Sequence, residues 1–389
     1  MPKEKLSFIK NDLNALEKAN QLRNLRDVNP VSEAIIEING NRLINFSSND
    51  YLGLSKHPLL KQRSIEFIER YGTGSTASRL VCGSYLCFKE IEEKLAILKK
   101  TERSLIFNSG FQANTSILAS IADRGSLILI DRNIHNSLIQ GAILSRGRIE
   151  RFKHNDIKNL EKHLYQTKKE KYSKIFIIAE SVYSMDGDKA DIDALIEISK
   201  EFKAILIVDD AHGMGIFGEK GMGSALGNDI DLIIGTFGKS CGSFGAYIAC
   251  SEEMRKYLIN KCSGLIYSTA LPPSVLGAID GALEIIPFME NNRKKILENA
   301  QFLRNRLNKA GFDTGMSNTN IIPIIVGDSE KVLELSKYLE KNEMFAVPIR
   351  PPTVKKGEAR IRITICDFHT KEHIETLINF LQKWRNQNN

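Results

Sequence analysis

Short runs of Ile, Leu and Val alternate with longer stretches in which apolar residues return every three or four positions, from about residue 104 onward. The short runs, bounded by polar residues, predict strands; the stretches of helical period between them predict crossover helices. Strands are expected at 104–107, 127–130, 174–179, 204–208, 232–236 and 246–250. This alternation predicts an α/β fold whose large domain has a mainly parallel central sheet flanked by helices. Several strands lead into polar residues: Glu180 follows 174–179, Asp209 follows Ile205-Leu206-Ile207-Val208, and Thr236 closes its own run. Ligands of open α/β sheets bind beyond the carboxyl ends of the strands, so one crevice is expected to collect these three.

Upstream, Ile9, Leu13 and Leu16 fall at helical spacing, Asn39-Gly40-Asn41 reads as a hairpin turn, and 45–54 is a turn-rich loop. Beyond Pro272-Pro273, helical patterns at 297–310 and 331–341 flank a strand-like run at 321–326. The segment 359–365 alternates polar residues with Ile, predicting a strand with one largely cationic and one apolar face. The expected organisation is an N-terminal helix and hairpin segment (1–45), a large domain (46–285) and a smaller C-terminal α+β domain (286–389), without repeats or low-complexity tracts.

Composition narrows the function classes. With 389 residues, 42% of them hydrophobic, the chain can bury a sizeable core. No apolar run approaches the ~18 residues of a membrane span. The N-terminus mixes acids with bases, unlike a targeting peptide, so a cytoplasmic protein with no membrane partner is expected. The net charge of +7 is dispersed among acids, with no basic stripe interleaved with aromatics; nucleic acid is therefore not expected, while an anionic acyl carrier remains compatible. Six cysteines form neither a C-x-x-C pair nor a cluster with histidine, which predicts reduced thiols and makes Cys241 a small filler rather than a nucleophile.

The candidate chemistry gathers around Lys239. Lone lysines are usually solvated, but Thr236-Phe237-Gly238 before it and Gly242 and Gly245 after it let backbone approach a ligand, and no phosphate-loop pattern claims this lysine, so a Schiff-base role is favoured. Asp209, at the mouth of a buried strand, needs a cation: a protonated pyridine nitrogen would serve, with a metal or a helix cap as alternatives. Asp209-Asp210-x-His212 lacks a further His or Cys close by in sequence, which argues against a metal. Gly110-Phe111-Gln112-Ala113-Asn114 follows a strand and opens a helix, a candidate phosphate seat. Gly72-Thr73-Gly74 lacks the third glycine of a dinucleotide loop. His135 lies past another strand end, where it would either stack on a ligand or cap a helix.

Four segments in one order, 180–188, 208–213, Thr236-Phe237-Gly238-Lys239 and Tyr267-Ser268-Thr269, resemble the cofactor cradle of the α-oxoamine synthases, a pyridoxal-phosphate family of the aspartate-aminotransferase fold (fold type I). The likeness runs from about Asn45 to Thr364. It implies that Lys239 is the Schiff-base lysine, Asp209 the acid at the pyridine nitrogen, His212 the contact to the phenolic oxygen and His135 the ring stacked on the cofactor. By the same resemblance Gly110, Phe111, Ser184 and Thr236 touch the cofactor. Arg23, His135 and Thr353 touch substrate, Arg362 holds an amino-acid carboxylate, and Asn49 lies near the reacting amine. The loop Ser75-Thr76-Ala77-Ser78-Arg79-Leu80 departs from some members, which carry histidine where Arg79 stands.

Within the family, His154-Asn155-Asp156 and Ile349-Arg350-Pro351-Pro352-Thr353-Val354 with Gly357 and Arg360-Ile361-Arg362 resemble the branch that condenses L-alanine with a pimeloyl thioester, losing CO2 and free thiol to give 8-amino-7-oxononanoate in biotin assembly. The resemblance implies a homodimer and an acyl donor carried by coenzyme A or by an acyl carrier protein. Rival expectations are glycine with acetyl-CoA giving 2-amino-3-oxobutyrate, other glycine or serine condensations, and a non-catalytic regulator of the same fold. Such regulators usually lose the lysine, which is present here.

Overall fold

The computed structural model describes residues 5–167 and 171–388. The chain divides into two compact units. The larger comprises Asn49–Ser184 and Asp188–Lys295; the smaller takes the described residues up to Ser48, Met185–Gly187 and everything described from Ile296 on. The N-terminal segment belongs with the C-terminal portion because Met344 and Phe345 add a parallel strand to Ile44 and Asn45.

The larger unit is built on a seven-stranded sheet: β1 Arg103–Phe107, β2 Ser126–Asp131, β3 Arg148–Phe152, β4 Lys174–Glu180, β5 Ile205–Asp209, β6 Leu232–Thr236 and β7 Ala246–Cys250. Their spatial order is β1-β7-β6-β5-β4-β2-β3. The pairs from β3 through β6 are parallel, whereas β7 is antiparallel to both β6 and β1. The cause of that reversal is the short connection 237–245, which has no room for the crossover a parallel neighbour requires. Along the inner strands both faces are apolar. Ile128, Ile130, Ile178, Ile207 and Ile234 pack on one side with the helices α1 (Gly110–Ile121) and α2 (Asn136–Ser145). Leu129, Ile177, Leu206, Val208 and Ile233 pack on the other with Leu160, Leu164, Leu195 and Ile198.

The strand β3 was not expected. Its sequence, Arg-Ile-Glu-Arg-Phe, carries the charges of an edge strand, and only Phe152 is buried.

In the smaller unit the hairpin turns as expected at Asn39 and Gly40, both with positive φ. A four-stranded sheet and the three-stranded sheet Ile321–Gly327, Ala359–Thr364, Pro348–Ile349 carry its core. The expected cationic face of the last strand is not solvated: every residue of Ala359–Thr364 is buried. Arg360 is accommodated there by an ion pair to Asp186 (2.6 Å), and Arg362 donates to Thr364 Oγ1 (2.9 Å). No disulfide forms among the described residues.

Candidate active site

At the carboxyl ends of the central strands the larger unit places two chains of hydrogen bonds. The first begins at Lys239. Its Nζ lies 2.6 Å from His212 Nε2, and His212 Nδ1 lies 2.5 Å from the Tyr51 hydroxyl, which donates to Asn49 Oδ1 at 3.3 Å. The donor inventory orients this chain: an ammonium at Lys239 donates to Nε2, a neutral His212 donates from Nδ1, and Tyr51 passes its hydrogen to Asn49. His212 is delivered by the turn after β5, where Gly213 and Met214 N–H donate to Asp210 O. Gly213 is required there, because a Cβ would sit 2.0 Å from the Asp210 carboxylate.

The second chain starts at Asp209. Its Oδ1 accepts from Ala211 N–H (3.0 Å) and its Oδ2 from the Asn114 amide (2.8 Å), whose other hydrogen reaches Ser137 Oγ (2.9 Å). Ser137 Oγ is 2.7 Å from His135 Nδ1. Since the amide spends both hydrogens, the Ser137 hydroxyl donates to Nδ1, and a neutral His135 carries its hydrogen on Nε2. Burial holds the His135 imidazole below its ordinary value; the Asp209 charge opposes that and the Lys239 charge adds to it. His135 also caps α2, accepting from Ser137 N–H, and its own N–H donates to Glu180. Glu180, paired in register with Asp209, is pushed well above the carboxylate range by burial and by the Asp209 charge.

Directly after Asp209, Asp210 turns away into a sealed ion pair. Its Oδ2 accepts from Lys99 Nζ at 3.0 Å with both side chains fully buried, and its Oδ1 from Ser181 Oγ at 2.6 Å. Desolvation pulls Lys99 down and Asp210 up from their ordinary values, each opposed by the other's charge.

The remaining expected contacts sit on neighbouring strand ends. Gly110 and Phe111 open α1, whose first-turn N–H groups lack intrahelical acceptors. The Tyr267-Ser268-Thr269 segment is tied to that helix start: Gln112 Nε2 donates to Ser268 Oγ (2.6 Å) and Asn108 Nδ2 to Thr269 O (2.7 Å). Thr236 Oγ1 donates to Gly245 O at 2.9 Å and accepts from Gly238 N–H. Ser184 lies in the turn after β4, closed by Tyr183 N–H to Asp188 O at 3.0 Å. Arg79 is committed to structure, paired with Glu92 and lying over the Phe88 ring at 4.2 Å. Cys241 is fully buried and its thiol is pushed up to about 12, so it is no nucleophile at neutral pH.

The smaller unit holds the other three expected residues. Arg23 donates to Thr353 Oγ1 at 2.9 Å across 330 positions of sequence, and Arg362 lies on the buried strand Ala359–Thr364. Arg23 and Thr353 line an open cavity of about 1350 Å³ together with Arg26, Arg42, Lys337 and Arg350. Arg26 is neutralised by Glu340 at 2.5 Å; among the described residues no carboxylate pairs with Arg23 or Arg350. Burial and the Arg23 charge hold the Arg350 guanidinium below its ordinary value.

Sequence reasoning missed Tyr51, Asn114 and Lys99 as parts of this machinery. Asn114 falls one helical turn into α1 on its buried face, a position the periodicity could have marked as a polar residue in need of partners. The other two gave no local signal.

The residues present fit pyridoxal phosphate. Asp209, buried yet hydrogen-bonded among the described residues only by neutral groups, can receive a cationic ring nitrogen. Lys239 offers an amine to an aldehyde, and a Cβ at Gly110 would meet open space beside the α1 start.

Comparison with known proteins agrees. Residues 41–381 match the family aminotransferase class I and II. A putative 8-amino-7-oxononanoate synthase of Desulfosudis oleivorans is 50% identical, covering 98% of this chain and 99% of its own. Among solved structures, a serine palmitoyltransferase from S. paucimobilis, solved with a pyridoxal-phosphate adduct of myriocin, superposes with a TM-score of 0.89 at 26% identity over 98% of this chain and 97% of that one. The 8-amino-7-oxononanoate synthase of Francisella tularensis does so with 0.76 at 26% identity over 89% and 98%. These are pyridoxal-phosphate enzymes of fold type I, and the chain belongs to the aminotransferase class I and II family, in the branch of the 8-amino-7-oxononanoate synthases.

Proposed function

We propose that this protein condenses L-alanine with a pimeloyl thioester, with loss of CO2 and free thiol, to give 8-amino-7-oxononanoate in biotin biosynthesis. The observation that carries the amino-acid chemistry is the pair of chains that bring Lys239 and His212, and Asp209 and His135, to one set of strand ends. The choice of alanine and pimeloyl donor is supported by the 50% identity to a relative bearing that name along its whole length.

Pyridoxal phosphate, when bound, supplies an electron-accepting ring for the carbanion that forms at the amino-acid α-carbon. Lys239 Nζ takes the α-proton and returns one after decarboxylation, with His212 Nε2 as its hydrogen-bond partner. Asp209 would keep a ring nitrogen of the bound cofactor protonated. His135 presents Nε2–H as a donor to the thioester carbonyl as negative charge develops on its oxygen. His212 would contact the phenolic oxygen, and Gly110, Phe111, Ser184 and Thr236 would also contact the cofactor. Arg362 binds the alanine carboxylate through its planar fork of donors. Asn49 orients the amine end through Tyr51. Arg23 and Thr353, with Arg350, bind the anionic end of the acyl donor, where two guanidinium groups that have no carboxylate partner among the described residues favour an anion.

The proposal includes a cytoplasmic homodimer and leaves room for an acyl carrier protein as donor. Phe111 and Tyr267, on segments joined by the Gln112–Ser268 bond, expose 54% and 83% of their surface, which suits a second copy of the chain. Among the described residues no helix is long and apolar enough to cross a membrane.

The test is thiol release by the cofactor-loaded protein from pimeloyl-CoA with L-alanine, beside glycine with acetyl-CoA and serine with palmitoyl-CoA. Release confined to the first pair is expected. Release with glycine and acetyl-CoA alone would transfer the chain to the 2-amino-3-oxobutyrate reaction, and none with any pair would make it a non-catalytic regulator.

A further inference from the structure

Beside the crevice, at the ends of β2, β3 and β4, one histidine holds two carboxylates. His154 Nδ1 donates to Asp131 Oδ1 at 2.9 Å and its Nε2 to Asp188 Oδ2 at 3.0 Å. Both ring nitrogens donate, so the ring is an imidazolium. Tyr183 meets it edge-on, with ring centroids 4.3 Å apart. Asn155, at positive φ, completes the cluster: its N–H donates to Asp131 Oδ2 (2.9 Å) and its amide to Asp188 Oδ2 (2.5 Å).

Each carboxylate organises a different turn. Asp131 is fully buried at the end of β2, and its Oδ1 also accepts from Asn133 N–H at 2.8 Å, while Ile134 N–H donates to its backbone oxygen. Those contacts shape the turn that delivers His135. Asp188 closes the turn after β4 that carries Ser184, through Tyr183 N–H to Asp188 O and the Val182–Lys189 bridge. Without a cation between them, two buried carboxylates on adjoining strand ends would repel and draw water, and both turns would relax.

We infer that His154 is a positioning residue for the reaction: its imidazolium clamps Asp131 to Asp188 and so fixes the His135 turn against the Ser184 turn. The inference rests on the role proposed above for His135. The protonation the clamp needs is secured by its surroundings. Burial lowers His154, but the hydrogen bonds and charges of Asp131 and Asp188 outweigh it and raise the imidazole to about 10. The role is one of geometry, since both ring hydrogens of His154 are spent on Asp131 and Asp188.

The experiment compares the intact enzyme with His154→Gln, with Asp188→Asn, and with His163→Gln, which breaks a similar imidazole–carboxylate pair to Glu150 on β3 (2.9 Å) away from both turns. One arm records 15N spectra of histidine-labelled protein without cofactor. The other measures kcat and KM for alanine in the loaded enzyme. His154→Gln is expected to move the His135 ring signals and to lower kcat roughly tenfold to a hundredfold with KM for alanine nearly constant, as misplacement of a reacting group does. Asp188→Asn should act in the same direction and more weakly, and His163→Gln should leave both readouts unchanged. His135 signals and kcat at wild-type values in His154→Gln would overturn the inference; if that variant does not fold, the same result in Asp188→Asn overturns it. The cofactor-free spectra read the link between the two histidines without turnover, so a wrong reaction assignment and a wrong clamp give different patterns.

Discussion

Asp209 and Asp210 are neighbours in sequence and opposites in role. Successive residues at a strand end point to opposite sides, which sends one carboxylate to the crevice and the other beneath it. Asp210 meets its counter-ion inside the protein: Lys99, Ser181 and Ser224 N–H close around it, and at Gly223 a Cβ would lie 1.7 Å from its oxygen. Among the described residues Asp209 accepts hydrogen bonds only from an amide and a backbone N–H. A buried charge whose cation belongs to the fold is structural; one held only by neutral donors is kept for a cation that arrives from outside. Burial alone would not have distinguished the two.

The comparison can be broken at several points. The largest effect is expected on the open side: Lys239→Ala should lower turnover by roughly 10⁴-fold, read as thiol release, because no other residue in either hydrogen-bond chain supplies a primary amine. On the sealed side, Lys99→Met should cost about 3–5 kcal/mol by leaving Asp210 charged and alone, measured by denaturant unfolding, and the double variant Lys99→Met, Asp210→Asn should regain much of it. Asp209→Asn sharpens the contrast. It should leave cofactor-free stability near the wild-type value while weakening cofactor binding, so equal destabilisation by the two would erase the distinction. A smaller change is expected from Tyr51→Phe, which removes one partner of His212 and should lower kcat about tenfold. The smallest concerns pH. His154 is raised from its ordinary 6.5 to about 10 in the fold, so its contribution to stability is complete below 6.5 and is lost as pH rises through about 10. Thermal unfolding between pH 7 and 10.5 should show that loss in the wild type and not in His154→Gln.

Much of this was legible before any coordinates. Six of the seven large-sheet strands stand out as short apolar runs, four of them (β2, β4, β5 and β6) as the Ile- and Leu-rich runs of buried parallel strands, and polar residues at strand ends mark the crevice. The exception, Arg148–Phe152, is an edge strand whose charges hide its period. The direction of β7 followed from the length of a loop rather than from any apolar pattern. Lys239, Asp209, His212 and His135 were visible as chemistry-bearing residues at strand ends. Lys99 was not, since it ends a helix whose other lysines are exposed or half-buried, and its partner lies 111 positions away. Tyr51 was hidden in a turn-rich segment for the same reason: hydrogen bonds across long stretches of chain leave no spacing to read.

The connection that carries Lys239 is stapled along its length. Phe237 N–H bonds Gly245 O, Ser243 N–H bonds Phe237 O and Gly242 N–H bonds Lys239 O. Gly242, at positive φ, lies so near Leu54 and Ser55 that a Cβ would stand 2.4 Å from the Ser55 nitrogen. Because β6 and β7 pair in register from Thr236 and Ala246, one inserted residue would either bulge this loop or slip the pairing and turn the faces of β7 inside out. Libraries of random insertions through the gene should therefore show a gap at 237–245 as deep as that over any core strand. A stretch without regular secondary structure would behave, under mutation, like one of the most ordered parts of the molecule.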